Sequence, residues 1–251
     1  MSRKPGHTDS EYTFKLFRFD PDQDREPRYD TYRRGFPPGA TVLEALLHFQ
    51  ETEDDSIAFR FSCRSAVCGS CGMLVNGAPV LACRTQLSAL IGDQVLVEPL
   101  PNMEVIKDFI VDATPFWKSY RMVEPWLHTD GEAAPEKERL QSPRAVHKLE
   151  PYINCVLCAC CYGACPVIGF DEEYIGPAAI AKLFRFMRDS RDRRGAAFLE
   201  RVNRRAGVWN CRTIFRCIDA CPKDIRPTDT IEALRREMVL YRFKKFFRLV
   251  R

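Results

Sequence analysis

The sequence has no large excess of charge of either sign and no motif for nucleic acids or nucleotides. Its 38 basic and 34 acidic residues give a formal net charge of +4. That charge is too small to argue for nucleic-acid binding, and we find neither a zinc-finger nor an RNP pattern. No G-x-G-x-x-G follows a strand-like run, so we expect this chain to bind no dinucleotide or flavin itself.

The sequence also lacks a long apolar segment. Its N-terminus, MSRKPGHTDSEYTF, is polar, so we expect no secretory signal. Residues 65–83 and 151–170 carry no charged side chain, but they contain proline, glycine and most of the cysteines, which is not typical of a transmembrane helix. Metal clusters with thiolate ligands are anionic and disfavour nearby carboxylates. We therefore interpret both stretches as pockets for such clusters.

Histidine is scarce, and cysteine is abundant. The four histidines show no pair spacing, so we assign none of them to haem or zinc. Of the twelve cysteines, five lie in the segment from Cys155 to Cys165. Disulfide frameworks are typical of short secreted chains, and cysteines this close in sequence rarely reach bridging geometry. Metal binding is the better interpretation.

The first hundred residues have the pattern of small strands around one helix. Strand-like runs occupy Tyr12–Asp20 and Gln94–Pro99, and Asn76-Gly77 predicts a hairpin within Gly72–Val80. Between them, Thr41-Val-Leu-Glu44 is a capping box that opens a helix through Phe49. We predict that residues 1–104 form one domain of small strands around a helix.

The pattern becomes helical after about residue 104. Helices are predicted from Pro177, across Phe198 to near Gly207, and from near Asp229, whereas residues 127–143 have the composition of an exposed loop. We predict that residues 105–251 form a second, helical domain. The fold class is therefore α+β.

The first cysteine group has the spacing of a plant-type [2Fe–2S] site. Cys63, Cys68 and Cys71 follow C-x4-C-x2-C, and Cys83 lies further along the chain. Glycines within the loop would let backbone amides approach the sulfur atoms. Zinc is the alternative, but it usually takes pairs of cysteines rather than a triplet in a glycine-rich loop.

The other cysteines form two runs of the bacterial ferredoxin type, C-x2-C-x2-C-x3-C-P, and the second run has Ile214 in place of its second cysteine. In two-cluster ferredoxins the fourth cysteine of a run binds the other cluster. That exchange predicts a [4Fe–4S] cluster on Cys155, Cys158, Cys161 and Cys221. It leaves three ligands, Cys165, Cys211 and Cys217, and hence a [3Fe–4S] cluster. Cys160 is left over, and we interpret it as a small buried apolar residue.

The order of these three groups, together with the stretches SCRSAVCGSCGMLVNG, YIGPAAIAKLFRF and GVWNC, resembles the iron–sulfur subunit of succinate dehydrogenase and fumarate reductase. The similarity covers nearly the whole chain. It implies a β-grasp ferredoxin domain that faces a FAD-containing catalytic subunit. It also implies a helical domain that faces a membrane anchor, which binds quinone and often haem b. Such a subunit lies peripherally on the cytoplasmic side of the inner membrane, held by the anchor, and relays single electrons between succinate or fumarate and quinone.

The resemblance places the quinone beside the last cluster. It implies contacts from the Pro166 segment, Trp209 and Lys223, and Arg212 is a further candidate because it neighbours that cluster in sequence. Two alternatives stay open, with Trp209 as a core residue and with Arg212 and Lys223 as cations that balance the cluster charge. Residues 169–170, Gly-Phe, stand where ubiquinone-type members carry tryptophans. That departure favours the fumarate-reductase-like branch, which uses menaquinone.

Two other classes of function compete with this interpretation. The chain could serve a different flavin-dependent oxidoreductase, but such partners commonly have two complete ferredoxin runs and need no plant-type domain. A zinc scaffold without redox function is the second alternative, and it would be colourless.

We predict about nine irons and ten acid-labile sulfides per chain, from the stoichiometries of the three cluster types. Metal and sulfide analysis of the purified protein checks these numbers. Electron paramagnetic resonance (EPR) of the oxidised protein should show a [3Fe–4S] signal that disappears on reduction. A colourless, zinc-loaded protein would contradict the assignment.

Overall fold

The computed structural model describes residues 9–129, 131, 133, 135–195 and 197–247. For residues 197 and 198 it describes the backbone alone. The polar N-terminal stretch up to residue 8, including His7, lies outside the described residues. The described residues up to 112, together with 156–163, form one compact unit. Those of 113–155 and 164–251 form a second.

The described residues contain seven strands and ten α-helices. The strands are β1 Ser10–Arg18, β2 Arg28–Phe36, β3 Gly72–Val75, β4 Ala78–Leu81, β5 Gln94–Glu98, β6 Val105–Lys107 and β7 Ile110–Val111. The helices are α1 Val42–Thr52, α2 Thr114–Met122, α3 Pro143–His147, α4 Glu150–Ile153, α5 Cys160–Gly163, α6 Pro166–Phe170, α7 Gly176–Met187, α8 Ala197–Val202, α9 Arg216–Asp219 and α10 Pro227–Phe246. Short 3₁₀ turns occupy Leu87–Ala89 and Val208–Asn210.

A five-stranded sheet in the order β2-β1-β5-β3-β4 organises the first unit. Strand β1 pairs antiparallel with β2 and parallel with β5. Helix α1 contributes Phe49 to the core, where its ring packs edge-on against Phe14 of β1 at 5.0 Å between centroids. A mixed sheet with one packed helix is the α+β arrangement that the sequence predicts.

Two local predictions for this unit are confirmed in detail. The Thr41 hydroxyl accepts the Glu44 amide, and the Glu44 carboxylate accepts the Thr41 amide, which completes the capping box of α1. Asn76 and Gly77 have φ of 47° and 78°, as a type I′ turn between β3 and β4 requires. Both motifs depend only on neighbouring residues.

Other predictions for the first unit need correction. Strand β1 occupies Ser10–Arg18 rather than Tyr12–Asp20. We missed β2 because it is an edge strand with mostly exposed residues and no clear apolar alternation. The chain is not helical directly after residue 104, since the β6–β7 hairpin comes first. The predicted boundary after residue 104 stays a prediction, and the first unit continues through residue 112.

The segment 156–163 belongs to the first unit although it lies far along the chain. The Asn102 side-chain amide donates to the carbonyl oxygens of Tyr162 at 3.2 Å and Gly163 at 3.0 Å. A Cβ atom on Gly163 would lie 3.3 Å from Pro101, so a larger residue would crowd this contact. Cys158, Cys160 and Cys161 therefore belong to the same unit as the first cysteine group.

Helices α7 and α10 organise the second unit. Helix α7 begins at Gly176, next to the predicted Pro177 start, and buries Ile180 and Leu183 completely. Helix α10 begins at Pro227 rather than near Asp229, without a side-chain cap, because proline is well suited to the first turn. Helix α8 ends at Val202 and not near Gly207. Within the described residues, no helix is both long and apolar enough to cross a membrane.

The Arg18 guanidinium, in a residue 3% exposed, is the centre of a buried ion-pair network in the first unit. Its Nε donates to Asp108 at 3.1 Å, and its Nη1 donates to Asp54. Asp108 is 1% exposed and also accepts the backbone amide of Ala58 at 2.9 Å. Arg18 therefore ties the end of β1 to the segment that leads into Cys63.

Replacing Arg18 by methionine is expected to lower the free energy of unfolding by about 3–5 kcal/mol, because the buried Asp108 carboxylate loses its cation. The matched control is Arg33→Met, which removes an ion pair with Glu11 whose side chains are 73% and 66% exposed. That change should cost at most about 1 kcal/mol. Chemical denaturation of both variants measures the difference, and equal losses would contradict a role for burial.

Candidate metal centres

Backbone amides converge on the sulfur atoms of the first cysteine group. The Ala66 amide donates to Cys83 Sγ at 3.3 Å. Three amides donate to Cys63 Sγ at 3.2–3.4 Å, those of Ser65, Val67 and Cys68. Donors arranged in this way stabilise negative charge on sulfur, as iron-bound thiolates require.

Left-handed residues make this convergence possible. Non-glycine residues with positive φ are rare, but they recur in each cysteine loop: Arg64, Ala66, Leu157, Ala159, Thr213 and Phe215, with φ between 54° and 67°. Each costs roughly 1 kcal/mol relative to a right-handed residue. Alternation of left- and right-handed residues turns successive N–H groups to one side of the chain, where they form an anion-binding concavity.

The remaining cysteines of the first group lie together and differ in their environment. Burial raises the pKa of Cys71 to about 12, and the neighbouring Cys83 side chain interacts with it directly. Hydrogen bonds, first of all with Ser70, lower the pKa of Cys68 to about 6. Because a metal ligand must be a thiolate, iron has to displace the proton that Cys71 retains without it.

Two glycines of the first loop allow the segment 156–163 to approach closely. A Cβ atom on Gly69 would lie 2.6 Å from the carbonyl oxygen of Val156. One on Gly72 would lie 2.8 Å from the carbonyl oxygen of Cys158 and 3.6 Å from Cys160 Sγ. Only residues without a side chain fit at these two positions. The fit explains why the loop contains glycine beside its cysteines.

Cys160 is buried beside the predicted ligands, as the sequence suggests for the residue left over. It is fully buried. Hydrogen bonding with the Cys160 side chain lowers the pKa of Cys158 to about 7. The role of Cys160 as a residue that binds no iron stays a prediction.

The second unit contains the other two predicted ligands of the [4Fe–4S] cluster, Cys155 and Cys221. The Ile225 amide donates to Cys221 Sγ at 3.3 Å. Burial lowers the pKa of Lys182, and the nearby Cys155 acts in the opposite direction. A cation beside Cys155 suits an anionic site. The set of four cysteines itself stays a prediction.

The three cysteines of the third group line one pocket in the second unit. The pocket is lined by Cys165, Pro166, Val167, Tyr174, Pro177, Cys211, Arg212, Thr213, Ile214, Phe215, Arg216, Cys217, Thr228 and Ile231. Burial raises the pKa of Cys217 to about 11, and charges on Cys165 and Cys211 add to the shift. The sulfur atoms are therefore close enough to interact, and Ile214 forms part of the wall.

Sequence reasoning missed two hydroxyl groups in this pocket. Thr228 Oγ1 lies 3.1 Å from Cys217 Sγ, and Tyr174 lines the pocket beside the three cysteines. Both residues are 1% exposed. No sequence motif marks either residue, because only the packing of the helices brings each of them to the pocket.

The four quinone candidates are placed differently. Pro166 and Arg212 line the pocket of the third cysteine group. Trp209 and Lys223, both within the described residues, do not line it. Trp209 is 38% exposed and donates from Nε1 to Asn203 at 3.2 Å, so the alternative of a core residue is wrong. Arg212 is exposed and Lys223 is half-buried. The assignment of these four residues to quinone stays a prediction.

Among the described residues, no group of three or more histidine, cysteine, aspartate or glutamate side chains could hold a single metal ion. All twelve cysteines are described, and none forms a disulfide bond. An iron–sulfur cluster differs from a single ion because its cysteine ligands are distributed over two or more iron atoms. The converging amides and the glycine positions fit such a cluster.

Comparison with known proteins gives matches over most of the chain. A family model described as a 2Fe–2S iron–sulfur cluster binding domain matches residues 13–118, and one described as a 4Fe–4S dicluster domain matches residues 152–225. The chain is 41% identical over 230 residues to a succinate dehydrogenase iron–sulfur subunit of Coxiella burnetii, covering 90% of this chain and 97% of that protein.

A second relative and a solved structure agree with the first. The chain is 39% identical over 228 residues to the mitochondrial succinate dehydrogenase [ubiquinone] iron–sulfur subunit 1 of Oryza sativa, covering 89% of this chain and 81% of that protein. A chain of the Mycobacterium smegmatis Sdh1 complex in the apo form has the same fold, with a TM-score of 0.84 at 23% identity. The match covers 94% of this chain and 98% of that chain.

Alanine at Gly69 should disturb the protein more than alanine at Gly77. The two glycines have φ of 77° and 78°, so a side chain is equally strained at both, by about 1–2 kcal/mol. Nothing lies within 4 Å of a Cβ atom on Gly77, whereas one on Gly69 meets Val156. We expect Gly69→Ala to bind less iron and to have a lower melting temperature than Gly77→Ala. Equal iron content and equal melting temperatures would contradict the close approach.

Proposed function

The chain belongs to the family of succinate dehydrogenase iron–sulfur subunits, and we propose that it relays single electrons between a FAD-containing subunit and a quinone. The FAD subunit would oxidise succinate or reduce fumarate, and a membrane anchor would hold the quinone, in some complexes with haem b. The observation that carries the proposal is the pocket of Cys165, Cys211 and Cys217, with Ile214 where a complete ferredoxin run has its second cysteine.

Three clusters are proposed on eleven of the twelve cysteines. Bound iron–sulfur clusters supply centres that accept and release one electron at a time. The proposed ligands are Cys63, Cys68, Cys71 and Cys83 for [2Fe–2S], Cys155, Cys158, Cys161 and Cys221 for [4Fe–4S], and Cys165, Cys211 and Cys217 for [3Fe–4S]. The backbone amides around Cys63 and Cys83 support the first set.

The role of the chain is to hold these centres and to set their potentials. Amide donors to sulfur stabilise the reduced state of each centre, and burial limits the access of water. No substrate chemistry on succinate is proposed for this chain. The proposed location is peripheral, on the cytoplasmic side of the membrane that contains the anchor.

Quinone contact is proposed for Pro166, Trp209, Arg212 and Lys223. The position of Pro166 and Arg212 in the wall of the third pocket supports these two most directly. The preference for menaquinone and fumarate reduction rests on residues 169–170, of which Phe170 is 91% exposed. One relative carries ubiquinone in its name, so the quinone needs a direct assay.

Purification of the complex from membranes in mild detergent tests the function. We expect a flavoprotein and an anchor to accompany the chain, and succinate to reduce an added quinone. Parallel assays with ubiquinone and menaquinone analogues, in both directions, identify the branch. Co-purification with a different flavoenzyme, without activity on succinate or fumarate, would overturn the proposal.

Ile214→Cys should convert the third centre to [4Fe–4S] by restoring the missing thiolate. The added negative charge and the new cluster type should lower its potential. The [3Fe–4S] EPR signal of the oxidised protein should then diminish, and turnover with quinone should fall. Succinate oxidation should continue with an artificial acceptor that takes electrons directly from the flavin.

The control for this variant is Ile218→Cys. Ile218 is described and does not line the pocket, so its cysteine should leave the signal unchanged. An unchanged signal in folded Ile214→Cys protein would show that Ile214 does not face an open corner of the cluster.

A further inference from the structure

Thr228 brings a buried hydroxyl to a predicted ligand of the third centre. It lies in the first turn of α10 and is 1% exposed. Its Oγ1 lies 3.1 Å from Cys217 Sγ, within the pocket that Cys165, Cys211 and Cys217 share. Buried hydroxyls require hydrogen-bond partners, and the sulfur atom is the partner here.

Iron binding determines which of the two atoms donates. In the thiol form of Cys217 either atom could be the donor. As an iron ligand Cys217 is a thiolate without a proton, so only the Thr228 hydroxyl can donate. The hydroxyl belongs to the N-terminal turn of a 20-residue helix, where the helix dipole is positive and also favours a thiolate.

Tyr174 provides a second hydroxyl in the wall of the same pocket. It precedes α7, is 1% exposed and lines the pocket together with Cys165, Cys211 and Cys217. Once these cysteines are thiolates, the phenol can only act toward them as a hydrogen-bond donor.

We infer that Thr228, with Tyr174 as its counterpart, is a positioning residue that raises the reduction potential of the third centre. The inference rests on the proposed function. Reduction adds one electron to the centre, and oxidation by the quinone removes it. No covalent bond forms or breaks in the chain, and the hydroxyl proton stays on Thr228. Because the reduced centre is more negative, the O–H···S hydrogen bonds are stronger in that state and favour it.

The test is a redox titration of the complex, with the third centre followed by its EPR signal. Thr228→Val keeps the shape of the side chain and removes the hydroxyl. We expect its midpoint potential to shift downward, and that of Thr228→Ser to stay close to wild type. Tyr174→Phe should shift the potential in the same direction.

Thr230→Val is the matched control. Thr230 lies in the same helical turn, is also 1% exposed, and donates to the Pro227 carbonyl oxygen at 2.6 Å instead of a sulfur. It should lower the melting temperature without a shift in potential. A shift in Thr230→Val equal to that in Thr228→Val would overturn the inference, because packing alone would then explain both.

An unshifted potential in Thr228→Val would also overturn the inference. If Thr228→Val does not assemble, Thr228→Ser and Tyr174→Phe test the inference instead. A wild-type potential in Tyr174→Phe together with a shifted potential in Thr228→Ser would contradict an effect of the hydroxyl groups. Failure of the proposed function would give a different result from failure of this inference, because the wild-type complex would then show no [3Fe–4S] signal to titrate.

Discussion

The structure of the cysteine loops depends on one requirement, which is to place N–H and O–H donors around negatively charged sulfur. Thiolates in a cluster concentrate negative charge in a small volume, and hydrogen-bond donors of the protein stabilise that charge. The chain meets that need with left-handed residues such as Ala66, Ala159 and Thr213, which turn amides inward at a conformational cost. The lack of acidic residues in 65–83 and 151–170 follows from the same constraint.

The first unit is built so that this strained loop keeps its shape. Arg18 links β1 to the segment before Cys63 through Asp54 and Asp108. On the other side, Gly69 and Gly72 allow residues 156–158 to lie directly against the loop. A rigid scaffold with little space for adjustment suits one-electron transfer, because a centre that moves little on reduction loses little energy to reorganisation.

The third pocket differs from the first loop in the kind of donor that it provides. Amides predominate around Cys63, whereas the third pocket adds the Thr228 hydroxyl beside Cys217 and the phenol of Tyr174 in its wall. Stronger stabilisation of the reduced state at the third centre would draw electrons toward that centre. Potential, rather than shape alone, is therefore the property that this pocket can adjust.

The sequence by itself determined what depends on neighbouring residues. The capping box at Thr41, the turn at Asn76-Gly77 and the cysteine spacings that predict three clusters are all local patterns. Only the tertiary structure decided the parallel pairing of β1 with β5 and the place of residues 156–163 in the first unit. It also decided that Thr228 reaches Cys217. These contacts join distant segments through packing, for which a single sequence contains no periodic or spacing signal.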